Sequence, residues 1–379
     1  MIYLDNSATT RIDEEVLEAM LPWLRDNYGN ASSIYSLGRR SRVAIEEART
    51  EIARAIGAHP AELFFTSGGT ESNNTVLKSA CIESHLCSSL CVSAIEHHAI
   101  LHPAEYMHST GIPTAFVRPE TDGIISPDAL MEYCRPGTLF SIMHANNETG
   151  AIQPIRQIKD MMPQGAYLHT DAVQSFGKIP VNVQDLGVDF MTLSAHKIHG
   201  PKGIGALFIR KGIDFKAHQQ GGGQERNRRA GTESPALIVG FQIAVRKAMA
   251  LLQERAAYMR SLRESMIGLI RQHIPWAFIN GPENPDLCLP SIVNISFPDA
   301  PWLDGEGILQ MMDIHNIAVS NGSACVSGSP QPSHVLLAMG KSRAEAKAAI
   351  RFSFSKDTTM QQIEQAVHTL AQILESMKD

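Results

Sequence analysis

Apolar residues recur at helical spacing over residues 12–28 and 36–56, with charged residues between them, and this predicts two amphipathic helices. Short apolar runs follow at 63–65, 90–93, 114–117, 138–144, 167–170, 190–194 and 205–210. They predict strands. Helical and strand patterns alternate from about residue 13 to 211, which predicts an α/β fold with a mostly parallel sheet. Gly68 and Gly69 follow the first run and open a helix, and Ser126-Pro127 predicts an N-cap with proline at the first helical position. Residues 234–273 predict a long, broken helical stretch that joins two domains. Beyond Trp276 the pattern changes. Strands are expected at 291–297, 317–320 and 349–354, and helices at 305–315, 333–339 and 358–377. Strands and helices mixed over so short a span predict a small α+β domain.

Composition narrows the class. The chain has 379 residues, 44% of them hydrophobic, enough for one large core and a smaller one. Its 33 basic and 39 acidic residues leave a net charge of −6, which carries no basic nucleic-acid footprint. No stretch has the length and apolarity of a membrane span. The start lacks a basic region followed by an apolar run, so the expectation is a soluble cytoplasmic protein. Six cysteines in such a chain argue against disulfides. Cys81, Cys87 and Cys91 form no C-x-x-C pair and read as buried thiols, with a metal site as the alternative.

Several segments carry candidate chemistry. Lys197 lies just past a predicted buried strand in Ser194-Ala195-His196-Lys197, among small and polar residues. A lysine in a semi-apolar pocket has a lowered pKa and becomes a nucleophilic amine able to form a Schiff base; a surface lysine in a turn is the plain alternative. Asp171 ends another strand and suits a pyridinium nitrogen, with Gln174 placed to donate to a ring oxygen; an N-cap role is the alternative. Gly68-Gly69-Thr70 offers backbone N–H groups and a hydroxyl at a helix N-terminus, a natural phosphate cradle that ordinary turns also use. His97 ends a strand and can stack on a flat cofactor and shuttle protons, although His98 beside it leaves open which ring faces inward. The 219–233 stretch, with Gly221, Gly222, Gly223, Arg226, Arg228 and Arg229, suits an anion-binding loop or disorder. Cys325 sits in a loop of small and polar residues, where an accessible thiol can accept sulfur and pass it on, or be an incidental exposed thiol. Arg351, flanked by apolar residues on a predicted strand, needs an anionic partner: a substrate carboxylate or a structural ion pair.

Taken in order, these segments resemble the cysteine desulfurases, fold-type I enzymes dependent on pyridoxal 5'-phosphate (PLP) in the class V aminotransferase superfamily. The resemblance spans nearly the whole chain, from 3–10 to 351–353, and is closest at 66–74, 146–150 and 194–205. The Cys325 loop is similar to that of the NifS/IscS group. Ala31, Tyr35, Arg11 and Ser355 depart from the family's usual Pro, His, Pro and Gly, away from the proposed chemistry.

The resemblance implies a large PLP-binding domain over 13–250 with a mostly parallel seven-stranded sheet. A small α+β domain from 1–12 and 251–379 would carry the cysteine loop. It makes Lys197 the Schiff-base lysine, with His97 stacked on the ring, Asp171 on its nitrogen and Gln174 on its oxygen. Gly69, Thr70, Ser194 and His196 would hold the phosphate, with Thr232 supplied by the other subunit of a homodimer. Asn147 and Arg351 would hold the substrate carboxylate, and Cys325 would carry the persulfide. The implied reaction turns L-cysteine into L-alanine and passes sulfur to an acceptor protein for iron–sulfur cluster or thio-cofactor synthesis. A selenocysteine lyase or an aminotransferase on the same scaffold is the rival enzyme, and a non-catalytic iron–sulfur scaffold the rival of another class.

Overall fold

The computed structural model describes residues 1–298, 300, 302–322 and 331–377. Its centre is a seven-stranded sheet in the order Leu63–Thr66, Gly205–Ile209, Phe190–Ser194, Tyr167–Asp171, Thr138–Ser141, Ser89–Ser93, Thr114–Val117. Within this sheet only Gly205–Ile209 runs against its neighbours. The remaining adjacent pairs are parallel. Helices cover such a sheet on both faces, so its strands read as near-continuous apolar runs. Leu139, Phe140, Leu168, Phe190, Leu193 and Phe208 are accordingly buried. All seven predicted strands are present. The run at 138–144 stops as a strand at Ser141, because from there the chain follows one neighbour only: Ile142 N donates to His169 O and His144 N to Asp171 O.

The expected long helical stretch is two helices, Pro235–Ala250 and Leu252–His273, bent by 72° at Leu251. Among the described residues no single helix is long and apolar enough to cross a membrane. Leu252–His273 packs on a second, antiparallel sheet of Ile350–Ser353, Ile292–Ser296 and Phe278–Asn280. Helices Gly305–Ile314 and Met360–Ser376 complete a separate core with Leu262, Ile270, Val293, Phe352 and Leu370. The first ten residues tie the two regions together. Leu4 is buried in this second core, Ile2–Tyr3 pairs with Ile317–Ala318, and Thr10 N donates to His196 O beside the large sheet.

Two local expectations change. Pro127 does open a helix, but it is a 3₁₀ helix, Pro127–Tyr133, and the Ser126 side chain makes no capping bond. The 219–233 segment is folded rather than disordered, and several of its charges are taken up within the chain. Glu225, buried, accepts from Arg49 Nη1 at 2.7 Å, Arg49 Nη2 at 2.8 Å and Phe65 N at 2.7 Å. Arg226 pairs with Glu46 and Arg229 with Glu71. Glu225, Arg226 and Asn227 all have positive φ, a conformation non-glycine residues rarely adopt, and these ion pairs hold it.

Candidate active site

The carboxyl ends of parallel strands in an open α/β sheet are the usual place for a ligand. Here they surround a cavity of about 250 Å³ lined by Gly69, Thr70, His97, Asn147, Asp171, Gln174, Ser194, His196 and Lys197. Nine residues singled out from the sequence thus meet in one place. A second cavity of about 190 Å³ shares His97, Asn147, Gln174 and Lys197 and extends to Glu148, Gly322, His334 and Arg351. Thr232 is exposed and lines neither cavity of its own chain. Cys325 lies outside the described residues, and Gly322, the last described residue before it, borders the second cavity.

Lys197 closes the short helical turn Ala195–Lys197 after Phe190–Ser194. It is half-buried, and it lines both cavities, so the surface-turn alternative falls. Its ammonium donates to Ser7 O and, at 2.7 Å, to Ala8 O. Burial, reinforced by the Arg351 charge and opposed by Asp5 and Asp171, pulls its pKa down to about 8. An appreciable share of the free amine is therefore present near neutral pH.

Asp171 caps no helix: a turn follows it, and Val173 N donates to its Oδ1 at 2.9 Å. Asn73 Nδ2 donates to the other oxygen at 2.7 Å, so the carboxylate is fixed from both sides. His97 caps helix His98–Ser109 through Nδ1, which accepts from Ala99 N at 3.0 Å. In the neutral ring the proton then sits on Nε2. Burial holds its pKa below the usual histidine range, the Lys197 charge acting with burial and Asp171 against it. His97 lines the cavity lined by Asp171, whereas His98 stacks on His102 and His334. His98 borders the second cavity, so of the two rings only His97 reaches the Asp171 side.

The Gly69 end of the cavity is built from glycine and unpartnered donors. Gly68 has φ +152°, which lets helix Gly69–Lys78 begin with free N–H groups toward the cavity end. A Cβ on Gly205 would come within 2.6 Å of Leu193 O and 2.8 Å of Gly68 Cα, so only glycine lets the two segments approach. Ser194 Oγ is buried without a hydrogen-bond partner, and an anion in the cavity satisfies it. Burial and the nearby lysines hold His196 at a pKa of about 4, and its Nδ1 lies 3.1 Å from Thr9 Oγ1.

Arg351 unites the two alternatives set for it. Its Nη2 pairs with Asp5 at 2.7 Å and its Nη1 donates to Asn147 O at 3.0 Å. Its Nε is buried and lacks an acceptor, which leaves a place for a second anion. Sequence reasoning missed Asp5, Asn73, Glu148 and Lys178. The first three lie inside segments already singled out, among other polar residues that gave them no distinguishing signal. Lys178, just past the Asp171 segment, carried no periodicity to mark it.

The comparisons with known proteins agree with this geometry. The aminotransferase class-V family model matches residues 2–366. The chain is 42% identical over 380 residues to the cysteine desulfurase IscS of Dictyoglomus turgidum, covering 100% of this chain and 95% of that one. It is 40% identical to the IscS of Methanosarcina thermophila, covering 100% of this chain and 93% of the relative. A solved NifS-like protein superposes with a TM-score of 0.90 at 35% identity, covering 99% of each chain. A family model over nearly all the residues, full-length relatives and one shared architecture establish that this chain belongs to the aminotransferase class-V family, in its cysteine desulfurase branch of IscS and NifS type.

Proposed function

We propose that this chain is a PLP-dependent cysteine desulfurase that converts L-cysteine to L-alanine and holds the sulfur as a persulfide on Cys325. One observation carries the reading. A lysine with a lowered pKa shares a cavity with a doubly anchored carboxylate, a helix-capping histidine and an unsatisfied buried hydroxyl. The residues fit the cofactor: Ser194 Oγ, the helix start at Gly69 and Thr70, and His196 suit a phosphate, and Asp171 suits a protonated ring nitrogen. Bound there, PLP supplies an electron sink that allows an α-proton to leave the substrate.

The chain's own residues do the rest. Lys197, with a pKa of about 8, alternates between amine and ammonium near neutral pH and moves the proton at the substrate carbon. His97 presents its Nε2–H to the substrate, where it can donate that proton. Arg351 binds the substrate carboxylate through the guanidinium edge that includes Nε, while Asp5 and Asn147 O keep the fork oriented. The Cys325 thiolate attacks the substrate sulfur: an S–S bond forms, the C–S bond breaks, and the carbon skeleton leaves as alanine once protonated. L-cysteine and a thiol thus become L-alanine and a persulfide, with no external oxidant.

The working unit in this reading is a cytoplasmic homodimer, in which Thr232 reaches the second copy's phosphate. The exposed apolar residues Leu17, Leu21, Leu24, Tyr28, Ile34 and Val43 support such a face. The separate cores support a large domain over 13–250 and a small one from 1–12 and 251–379. The persulfide's acceptor is a protein of iron–sulfur cluster or thio-cofactor synthesis. Incubation with PLP, borohydride reduction and peptide mapping test the cofactor assignment. A modified Lys197 is expected, and a chain that takes up no PLP refutes it.

A further inference from the structure

One buried cation beside the site has no task in the mechanism above. Lys178 is 6% exposed, and among the described residues its one side-chain hydrogen bond runs from Nζ to Gln174 Oε1 at 3.0 Å. Among the described residues no carboxylate lies at ion-pairing distance from it. An unpaired buried ammonium is costly, and a fold built for stability alone would place an apolar side chain there. Its charged surroundings are cationic: Lys197 and Arg351 repel it, and His196 feels its charge. Burial and these neighbours bring its pKa down to about 7.

The contact decides the orientation of the Gln174 amide. In its ammonium form, which prevails below about pH 7, Lys178 has three donors and no acceptor, so the Gln174 atom facing it is the oxygen. The nitrogen is thereby forced to the other side, where Nε2 donates to Ser7 O at 2.9 Å. Ser7 O also accepts from Lys197 Nζ. Nε2 carries a second hydrogen, and Gln174 lines both cavities. Without Lys178 only the Ser7 carbonyl, an acceptor shared with Lys197 Nζ, would oppose a turn of the amide.

We propose that Lys178 is a positioning residue that locks the Gln174 amide with its nitrogen toward the cavity, so that Gln174 meets the cofactor's ring oxygen only as a donor. This rests on the PLP reading above. A donor at that oxygen favours its negative form, so the loaded enzyme should titrate at a lower pH with the lock than without it.

The test is the pH titration of the visible absorbance of the PLP-loaded protein, with thermal melting of each variant to establish folding. Lys178→Met is expected to raise the midpoint by about one pH unit, tenfold in proton affinity. Gln174→Ala, which leaves the buried ammonium in place, is expected to raise it by the same amount, and Lys178→Met should add nothing in that background. Lys178→Arg, which keeps a donor, should titrate close to the unmodified protein. An unshifted Gln174→Ala overturns the inference whether or not Lys178→Met folds. So does a Lys178→Met shift of equal size with and without Gln174, which would make Lys178 a through-space charge. A protein that binds no PLP at all would instead overturn the function proposed above.

Discussion

Glu96 precedes His97 and is fully buried, with no ion-pair partner among the described residues. Its Oε1 accepts from Ser93 Oγ at 2.5 Å and Met143 N at 2.6 Å, and its Oε2 has no hydrogen-bond partner. Burial raises its pKa from 4.5 to about 8, the two hydrogen bonds opposing the rise. The folded chain therefore holds a proton there that the unfolded chain releases near pH 4.5. Between those values the folded state binds more protons, so this group's contribution to stability falls as pH rises. At about 1.4 kcal/mol per pH unit the full loss is of order 5 kcal/mol, a ceiling that relaxation around the charge lowers to about 2–5 kcal/mol. Glu96→Gln keeps the Oε1 acceptor and does not titrate. At pH 5 the variant should match the unmodified chain to within about 1 kcal/mol. At pH 9 it should be the more stable by about 2–5 kcal/mol. His144 and His169, whose pKa values burial lowers to about 4 and about 3, titrate alike in both chains and cancel in the difference. Urea unfolding at fixed protein concentration at pH 5, 7 and 9 measures it. A difference that does not change with pH would mean that Glu96 is ionised and compensated in the fold, and the reasoning would fail.

The Arg49–Glu225 pair is buried on both sides, so Glu225→Gln should cost about 3–5 kcal/mol in chemical denaturation; a cost below about 1 kcal/mol would deny that the pair anchors the 219–233 segment. Burial raises the pKa values of Cys81, to about 12, and of Cys87, Cys91 and Cys288. An alkylating reagent at pH 8 should therefore spare these four in the folded protein while modifying Cys325, as peptide mapping would read. Labelling of Cys91 at the Cys325 rate would contradict the burial argument. Gly205→Ala should weaken PLP binding by pressing on Leu193 O and the Gly68 turn, and an unchanged affinity by equilibrium titration would separate that turn from the phosphate site.

The parallel sheet was legible because strands covered on both faces have only one way to be written, as short apolar runs. The site was legible for a related reason: Gly69, His97, Asn147, Asp171, Ser194 and Lys197 stand at or just beyond strand ends, where apolar runs give way to small and polar residues. Helix His98–Ser109 was missed, since Pro103 inside it and three histidines blur its apolar face. Phe278–Asn280 is a three-residue strand with Phe278 exposed, too short to show alternation. The Asp5–Arg351 and Lys178–Gln174 contacts were of different kinds. The first spans 346 positions and exists only once the chain start crosses from the second core to the large sheet. The second spans four, yet a buried lysine looks like any other until burial is known. Cys325 stood out by its small, polar neighbours alone and lies outside the described residues.

The central claim is that sulfur moves from free cysteine to Cys325 at the Lys197 cavity. The PLP-loaded protein, given one equivalent of L-cysteine without a reductant, should yield L-alanine and a Cys325 peptide heavier by one sulfur atom in matching amounts. Alanine formed with no sulfur on Cys325, or undiminished sulfur delivery to an acceptor by Cys325→Ala, would contradict it.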